Sequence, residues 1–166
     1  MRFIVVVAIF LIFANFSLSH AQEINSFELF WPLSAGKTLE SNVYWLKQAK
    51  ENLRGALIFG PAPKTNYDVF LATKRLLEAE KLLKENKDDL AKRTFDLGLQ
   101  RLIEAKAKAE TSIANKESFG KSGPTTVDRL IKMEALGLYL QSQYPKSQAK
   151  LQEFIDADVS LLAILK

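Results

Sequence analysis

Apolar residues in this 166-residue chain recur at alternating spacings of three and four along several stretches. That spacing lines up side chains on one face of an α-helix. No stretch alternates between apolar and polar residues for long enough to indicate a β-strand. The sequence therefore predicts an all-α protein. The two most regular stripes are Val69, Ala72, Leu76, Ala79 and Leu83, and Ala91, Phe95, Gly98, Leu102, Ala105 and Ala109.

The first of about five predicted helices begins near Lys37. The run Gly60-Pro61-Ala62-Pro63 stops it, because proline lacks an amide donor and restricts the residue before it. The apolar stripe of this helix consists of Leu39, Val43, Leu46, Ala49, Leu53 and Ala56.

A break at residues 86–89 separates the second predicted helix from the third. The second helix is predicted to begin at Thr65, because a hydroxyl followed three residues later by the acid Asp68 is an N-terminal capping pattern. The third runs from about Asp88 to Asn115. Since the connection is short, the two helices are predicted to be antiparallel neighbours. The polar side of the second helix carries Lys74, Arg75, Glu78, Lys81, Lys84 and Glu85.

The run Gly120–Pro124 is the clearest linker in the chain. A second capping pattern, Thr125–Asp128, is predicted to open a helix that stops near Pro145. Asp158 falls within the apolar stripe of the last helix, where we expect it to contact a lysine or a backbone group. The stripes of these two helices are Val127, Leu130, Ile131, Ala135 and Leu138, and Leu151, Phe154, Ile155, Leu161, Leu162 and Leu165.

The first twenty-one residues follow the pattern of a secretory signal peptide. A basic start at Arg2 precedes the apolar run Phe3–Ala14, and small residues at Ser19 and Ala21 mark a cleavage site. An uncleaved membrane anchor is the alternative, although the run is shorter than the roughly 20 residues that a spanning helix needs. We therefore divide the chain into a signal peptide (1–21), an N-terminal arm (22–36), a three-helix hairpin domain (37–119) and a C-terminal helical hairpin (124–166).

The composition excludes several kinds of chemistry. The chain has no cysteine, and cleavage after Ala21 would remove its one histidine, His20. Without thiolate or imidazole, disulfides, the common nucleophilic triads and zinc hydrolase sites are not expected. Loss of Arg2 would lower the net charge from +4 to +3. Because basic and acidic residues alternate along the helices, they predict a solvated surface and not a nucleic-acid interface.

Three pairs of nearby carboxylates could in principle serve acid–base catalysis. They are Glu78 with Glu80, Asp88 with Asp89, and Asp156 with Asp158. A glycosidase-like site needs two carboxyl groups facing each other across a cleft. These pairs are neighbours along helices, where capping or solvation explains them. We therefore expect no catalytic residues.

Four aromatic residues are the candidate binding residues. Trp31 lies in the N-terminal arm, whose aromatic side chains either pack back on the domain or remain exposed for a partner or a bilayer interface. Trp45 lies on the first predicted helix, Phe70 on the second and Phe95 on the third. The alternative for all four is a place in the core.

Five short motifs occur in order between Pro32 and about Ala109. They are Pro32-Leu33, Tyr44-Trp45-Leu46-Lys47, Glu51, Ile58-Phe59-Gly60-Pro61 and Ala72-Thr73-Lys74-Arg75-Leu76-Leu77-Glu78-Ala79-Glu80. In these motifs this part of the chain resembles an uncharacterised bacterial extracytoplasmic domain family of unknown function. The resemblance implies an exported helical module without catalytic residues.

The expected function is that of a secreted or periplasmic, non-catalytic helical module for structural or protein–protein interaction. The alternative is a module that binds a lipid or another apolar ligand in a groove between helices. No cofactor and no metal are expected. The partner would be an unknown protein or cell-envelope component, and the charge also allows weak contact with a membrane surface.

Overall fold

Six α-helices and one turn of 3-10 helix make up the secondary structure of residues 24–166, the part that the computed structural model of this protein describes. Five of the helices are long and the first is a single turn, so the prediction of an all-α bundle of about five helices is confirmed. That part of the chain contains no strand. The predicted signal peptide lies outside it. The helices are α1 (Ser26–Leu29), α2 (Tyr44–Ala56), α3 (Pro61–Lys84), α4 (Asp88–Ala114), α5 (Ser122–Gln143) and α6 (Gln148–Leu165), with the 3-10 turn at Pro145–Ser147.

The antiparallel pair α3 and α4 forms the centre of the bundle, as predicted. The break between them is a short turn in which Asn86 adopts a positive φ of 58°, a conformation that asparagine tolerates better than most residues. Gly98 lets α4 approach its neighbours closely, since a Cβ atom there would lie 2.7 Å from the ring of Phe154 on α6. Both predicted stripes of these helices are fully buried.

Helices α5 and α6 pack on α3 and α4 and complete a single hydrophobic core. The stripe predicted for α6 is largely buried there. On α5, by contrast, Ile131 and Leu138 are about half exposed. The face of α5 that enters the core shares Leu130 with the predicted stripe and otherwise consists of Met133, Leu136, Gly137 and Leu140.

Two helices begin earlier than their capping patterns predict. Helix α3 begins at Pro61 and not at Thr65, because proline is tolerated in the first turn of a helix, where its missing amide donor has no partner to lose. The hydroxyl of Thr65 donates back to the carbonyl of Pro61 at 3.0 Å and therefore does not cap. The same holds for α5, where the Thr126 hydroxyl donates to the carbonyl of Ser122 at 2.7 Å.

The first long helix differs most from its prediction. It begins at Tyr44 and not near Lys37, and its apolar stripe faces solvent, with Leu46 55% and Leu53 66% exposed. The predicted polar side of α3 is correspondingly buried at Arg75 and Glu78. Both predictions were therefore wrong for one reason, which is that α2 packs on α3 through charged groups and leaves its apolar face outside.

Asp158 is buried among the apolar residues of α6. The predicted contact with a lysine or a backbone group is not found, because neither carboxylate oxygen has a hydrogen-bond partner in the described part of the chain. Burial, with a smaller contribution from Glu134, raises the pKa of Asp158 from its ordinary value to about 8. The folded protein therefore holds this carboxyl in its protonated form near neutral pH.

We expect Asp158 to make the protein less stable as the pH rises from 5 to 8. The folded state binds this proton more tightly than the unfolded chain, so the free energy of unfolding falls through that range. Asp158→Asn removes this titration, so its stability relative to the wild type should rise by roughly 3–4 kcal/mol from pH 5 to pH 8, at about 1.4 kcal/mol per pH unit. Urea unfolding followed by circular dichroism at both values measures it. The exposed neighbour Asp156, as Asp156→Asn, is the control; parallel pH curves for wild type and Asp158→Asn would contradict the prediction.

Candidate functional site

A buried cluster of charges joins α2 to α3. At its centre Arg75 is 3% exposed and lies between two carboxylates. One guanidinium nitrogen, Nη1, donates to Glu78 Oε1 at 2.8 Å, and the other, Nη2, donates to Glu51. Since Glu78 is fully buried and Glu51 nearly so, this arginine neutralises two carboxylates that are largely shielded from water. We call this group, with its partners from α2, the polar junction.

Two lysines and a tyrosine complete the polar junction. The Tyr44 hydroxyl donates to Glu78 Oε2 at 3.0 Å, and Lys47 donates to Glu78 and to the backbone carbonyl of Lys37. Lys74 donates to Glu51 Oε1 at 2.9 Å. Every charged group of the junction therefore has an opposite charge beside it, which is the condition under which buried ions are tolerated.

The pKa values in the polar junction reflect these pairings. Burial raises the pKa of Glu51, but Arg75 and Lys74 outweigh that effect and leave the pKa below its ordinary value. Burial lowers the pKa of Lys47 by more than Glu78 raises it. Burial and the neighbouring carboxylate raise the pKa of the Tyr44 hydroxyl. Because each charged group of the junction is paired with an opposite charge across the two helices, we assign the junction the role of holding α2 against α3.

The apolar stripe of α2 lies on the surface as a consequence of the polar junction. Val43, Leu46, Leu53 and Leu57 are each 40% or more exposed and follow one another at helical spacing; we call them the outer face of α2. Lys50 lies in the same row. Eight of the thirteen exposed large apolar side chains of residues 24–166 fall between Phe27 and Phe59. Such a concentration of exposed apolar surface is typical of a binding surface.

A second surface feature is a groove around Phe70. Three hollows of about 390, 460 and 430 Å³ each have Phe70 in their wall; together we call them the Phe70 groove. The first is lined by the N-terminal arm, including Trp31 and Leu33, and the second by Val43 and Leu46. The third lies between α3 and α5 and is lined by Asn66, Ser122 and Arg129, among others.

The floor of the Phe70 groove is aromatic and is flanked by cations. The rings of Tyr67 and Phe70 stack with centroids 6.0 Å apart and planes at 20°. The Arg54 guanidinium lies 5.8 Å from the Tyr67 centroid, and that of Arg129 lies 5.4 Å from the Phe70 centroid. Lys74 lies 5.8 Å from the same Phe70 ring. Cation–π contacts of this kind hold each charge beside the ring.

Two of these cations have no carboxylate partner. In residues 24–166, neither Arg54 nor Arg129 has a carboxylate oxygen within 4.0 Å. Arg129 donates instead to the side-chain oxygen of Asn66 at 2.9 Å, and its neighbour Asp128 pairs with Lys132. Burial lowers the pKa of Arg129, with Asp128 opposing the shift. The groove therefore presents positive charge that the described chain does not neutralise.

The structure separates the four predicted site residues. Trp31 and Phe70 line the same hollow of the Phe70 groove, whereas Trp45 is 65% exposed on α2 and lines none of its hollows. Phe95 is fully buried in the core, where its ring meets that of Phe154 with centroids 6.1 Å apart. Because Phe95 is buried, it has no exposed surface with which to contact a ligand. Phe95 is therefore a core residue, which was the alternative considered for it.

The N-terminal arm is partly packed on the domain and partly exposed. Phe30 is 7% exposed, and Leu29 and Leu33 pack against the core, while Trp31 is 69% exposed. Sequence reasoning missed Arg54, Tyr67 and Arg129. The spacing of Tyr67 and Phe70 along one helix could have indicated their stacking, but nothing in the sequence places Arg54 and Arg129 beside them.

Two general features complete the description of the surface. Between Ile24 and Lys166, no helix is both long enough and apolar enough to cross a bilayer. Within the same residues, histidine, cysteine, aspartate and glutamate form no group of three or more that could hold a metal ion.

The fold and the groove define an all-α bundle with an amphipathic surface groove. The model of one family, described as a domain of unknown function (DUF5667), matches residues 37–155. That match covers more than half of the chain, and the chain belongs to this family. It extends through α5 and much of α6, further than the resemblance over Pro32 to Ala109 indicated. No curated protein and no solved structure matches the chain.

Proposed function

We propose that this chain is an exported, non-catalytic module that binds a partner protein through the outer face of α2. The observation that carries the proposal is the orientation of α2, whose charged side packs on α3 while its apolar side faces solvent. A helix that buried its apolar side would be more stable by ordinary hydrophobic packing. A partner molecule that covers the apolar side of α2 would recover the free energy of that burial.

The outer face fits an amphipathic helix better than a flat surface. Val43, Leu46, Leu53 and Leu57 form one row along α2, so apolar side chains of a partner helix can pack along it. Lys50 in this row and Arg54 beside it have no carboxylate partner in the described residues. A partner helix with acidic side chains beside its apolar row would complement both features.

The apolar run and cleavage pattern of residues 1–21 support export. Protein recovered outside the cytoplasm should then begin at Gln22. Protein that retains Met1 and dissolves in the cytoplasm would contradict this part of the proposal.

We expect a photo-crosslinking amino acid at position 53 to capture a partner protein in intact cells, whereas the same group at position 113 should not. Leu53 and Ile113 are both exposed apolar residues, and Ile113 lies near the end of α4. With the captured protein purified, Leu53→Asp and Leu57→Asp should each weaken binding at least about tenfold, because each introduces a charge into the apolar row. Ile113→Asp should leave it unchanged. Equal capture at both positions, or crosslinks solely between copies of this chain, would overturn the proposal.

A further inference from the structure

We infer that the Phe70 groove binds a long-chain fatty acid, with the carboxylate between Arg54 and Arg129 and the acyl chain along the apolar wall. The groove shares Val43, Leu46 and Arg54 with the surface of α2 proposed above for a protein partner. The two proposals remain distinguishable, because Arg129 lies outside the outer face of α2 and Leu53 and Leu57 lie outside the groove. Three properties of the groove support the inference: its unpaired cations, its apolar walls and its concave shape.

The cations point to an anionic group. Arg54 on α2 and Arg129 on α5 both line the hollow between α3 and α5, where each lies beside one of the stacked Tyr67 and Phe70 rings. Arg129 is half-buried and donates to the neutral Asn66 side chain. A partly buried guanidinium without a carboxylate is unfavourable, and an entering anion relieves that cost. Guanidinium groups are also suited to bidentate contact with a carboxylate.

The walls point to an apolar chain attached to that anion. Beyond the arginines, one arm of the groove runs past Phe70 to Leu33 and Trp31, and another runs to Val43 and Leu46. The hollow that holds the second arm has a volume of about 460 Å³, within the range of roughly 300–1,000 Å³ that small-molecule sites occupy. A small inorganic anion would leave these walls in contact with water.

The concave shape favours a single amphiphile over a membrane surface. Arg129 lies inside the groove and is held there by Asn66 and by the face of Phe70, at 2.9 Å and 5.4 Å respectively. A planar bilayer meets protruding side chains such as Trp45 before it meets a half-buried guanidinium. One fatty acid molecule can place its carboxylate between the arginines and lay its chain along either arm.

The test is a titration of the purified protein with a fatty acid that carries a dansyl group at the end of its chain and has a free carboxylate. Binding should saturate at about one molecule per chain. Palmitate should displace the probe, whereas the neutral monopalmitoylglycerol should compete at least about tenfold less well, since it lacks the charge. Inorganic phosphate should not compete, because it cannot use the apolar walls.

Variants locate the site. Arg129→Gln should weaken probe binding about tenfold, and Arg129→Lys, which keeps the charge, should recover most of the affinity. Arg93, an exposed arginine that lines no part of the groove, supplies the matched control as Arg93→Gln, with no expected change. Thermal unfolding of each variant, followed by circular dichroism, establishes that the helices are intact at the temperature of the titration.

Several results would overturn the inference. These are an absence of saturable binding, equal competition by palmitate and monopalmitoylglycerol, equal weakening by Arg129→Gln and Arg93→Gln, or binding to phosphatidylglycerol vesicles without binding to the monomeric probe. Leu53→Asp and Leu57→Asp should leave fatty acid binding unchanged, since neither residue lines the groove. The inference and the proposed protein partner can therefore fail independently.

Discussion

Replacing Arg75 with methionine should lower the free energy of unfolding by about 3–5 kcal/mol. The substitution leaves Glu51 and Glu78 buried without the guanidinium that both now contact. Lys74 and Lys47 remain beside them, but each lysine is partly exposed and supplies one point of positive charge in place of a two-pronged contact. For a protein of this size the midpoint of thermal unfolding should fall by roughly 10 °C.

Thermal and urea unfolding followed by circular dichroism would measure this loss. Arg93→Met is the control, because Arg93 is exposed and has no carboxylate partner among residues 24–166; it should change stability by less than about 0.5 kcal/mol. Replacing Arg75, Glu51 and Glu78 together by methionine should recover much of the loss, since no buried charge of this trio remains. If Arg75→Met matched Arg93→Met, the polar junction would not hold α2 as described.

Phe95→Ala should cost about 3–5 kcal/mol of stability, the range for removing a large aromatic side chain from a core. Phe95 is fully buried and its ring packs edge-on against Phe154, with an angle of 63° between the planes. The cavity left by its removal lies between α4 and α6, and Gly98 on the same helix already brings the backbone close to Phe154. The walls therefore have little room to collapse.

Urea unfolding of Phe95→Ala beside Trp31→Ala and Trp45→Ala would separate core residues from surface residues. The two tryptophans are 69% and 65% exposed, so their alanine variants should differ from the wild type by less than about 1 kcal/mol. If Phe95→Ala were as stable as these variants, its side chain would not be part of the core. Loss of helicity in a tryptophan variant would remove that residue from the binding surface.

The central part of the fold could be read from the sequence because its apolar pattern is regular and its connection is short. In α3 and α4 each stripe has partners on the facing helix, and every stripe residue is buried. The break near Asn86 contains a residue that accepts the conformation required there. Local pattern and tertiary packing therefore agree in this hairpin.

The orientation of α2 could not be predicted from its apolar pattern in the same way. Its stripe is as regular as the others, yet burial of Glu51 and Tyr44 directs the opposite side inward. Hydrophobic periodicity identifies the faces of a helix, but which face is buried depends on what the neighbouring helix presents. Here the neighbour presents Arg75 and Glu78, and their pairing with Glu51 and Lys47 outweighs the preference for apolar contact.

The candidate groove could not be predicted from the sequence, because it depends on contacts between residues that are far apart in the chain. Arg54 on α2 and Arg129 on α5 are separated by 75 positions and line one hollow only because both helices lie beside α3. The capping patterns misled for a different reason. Thr65 and Thr125 have the spacing of cap residues, but each lies inside a helix that begins with or near a proline. Thr65, and Thr126 next to Thr125, donate to carbonyls of the preceding turn.

Because α2 is attached mainly through ion pairs, we expect this protein to open in two stages. The first is detachment of α2, and the second is unfolding of the remaining helices. Tyr44 and Glu51 are the buried residues of α2, so its detachment uncovers little apolar area and leaves the four-helix core of α3 to α6 intact. Such a segment opens at a lower free energy than the whole domain, and its backbone amides exchange with solvent sooner. A kosmotropic salt such as sulfate strengthens apolar association but adds little to buried ion pairs, so it should widen the difference in stability between the four-helix core and α2.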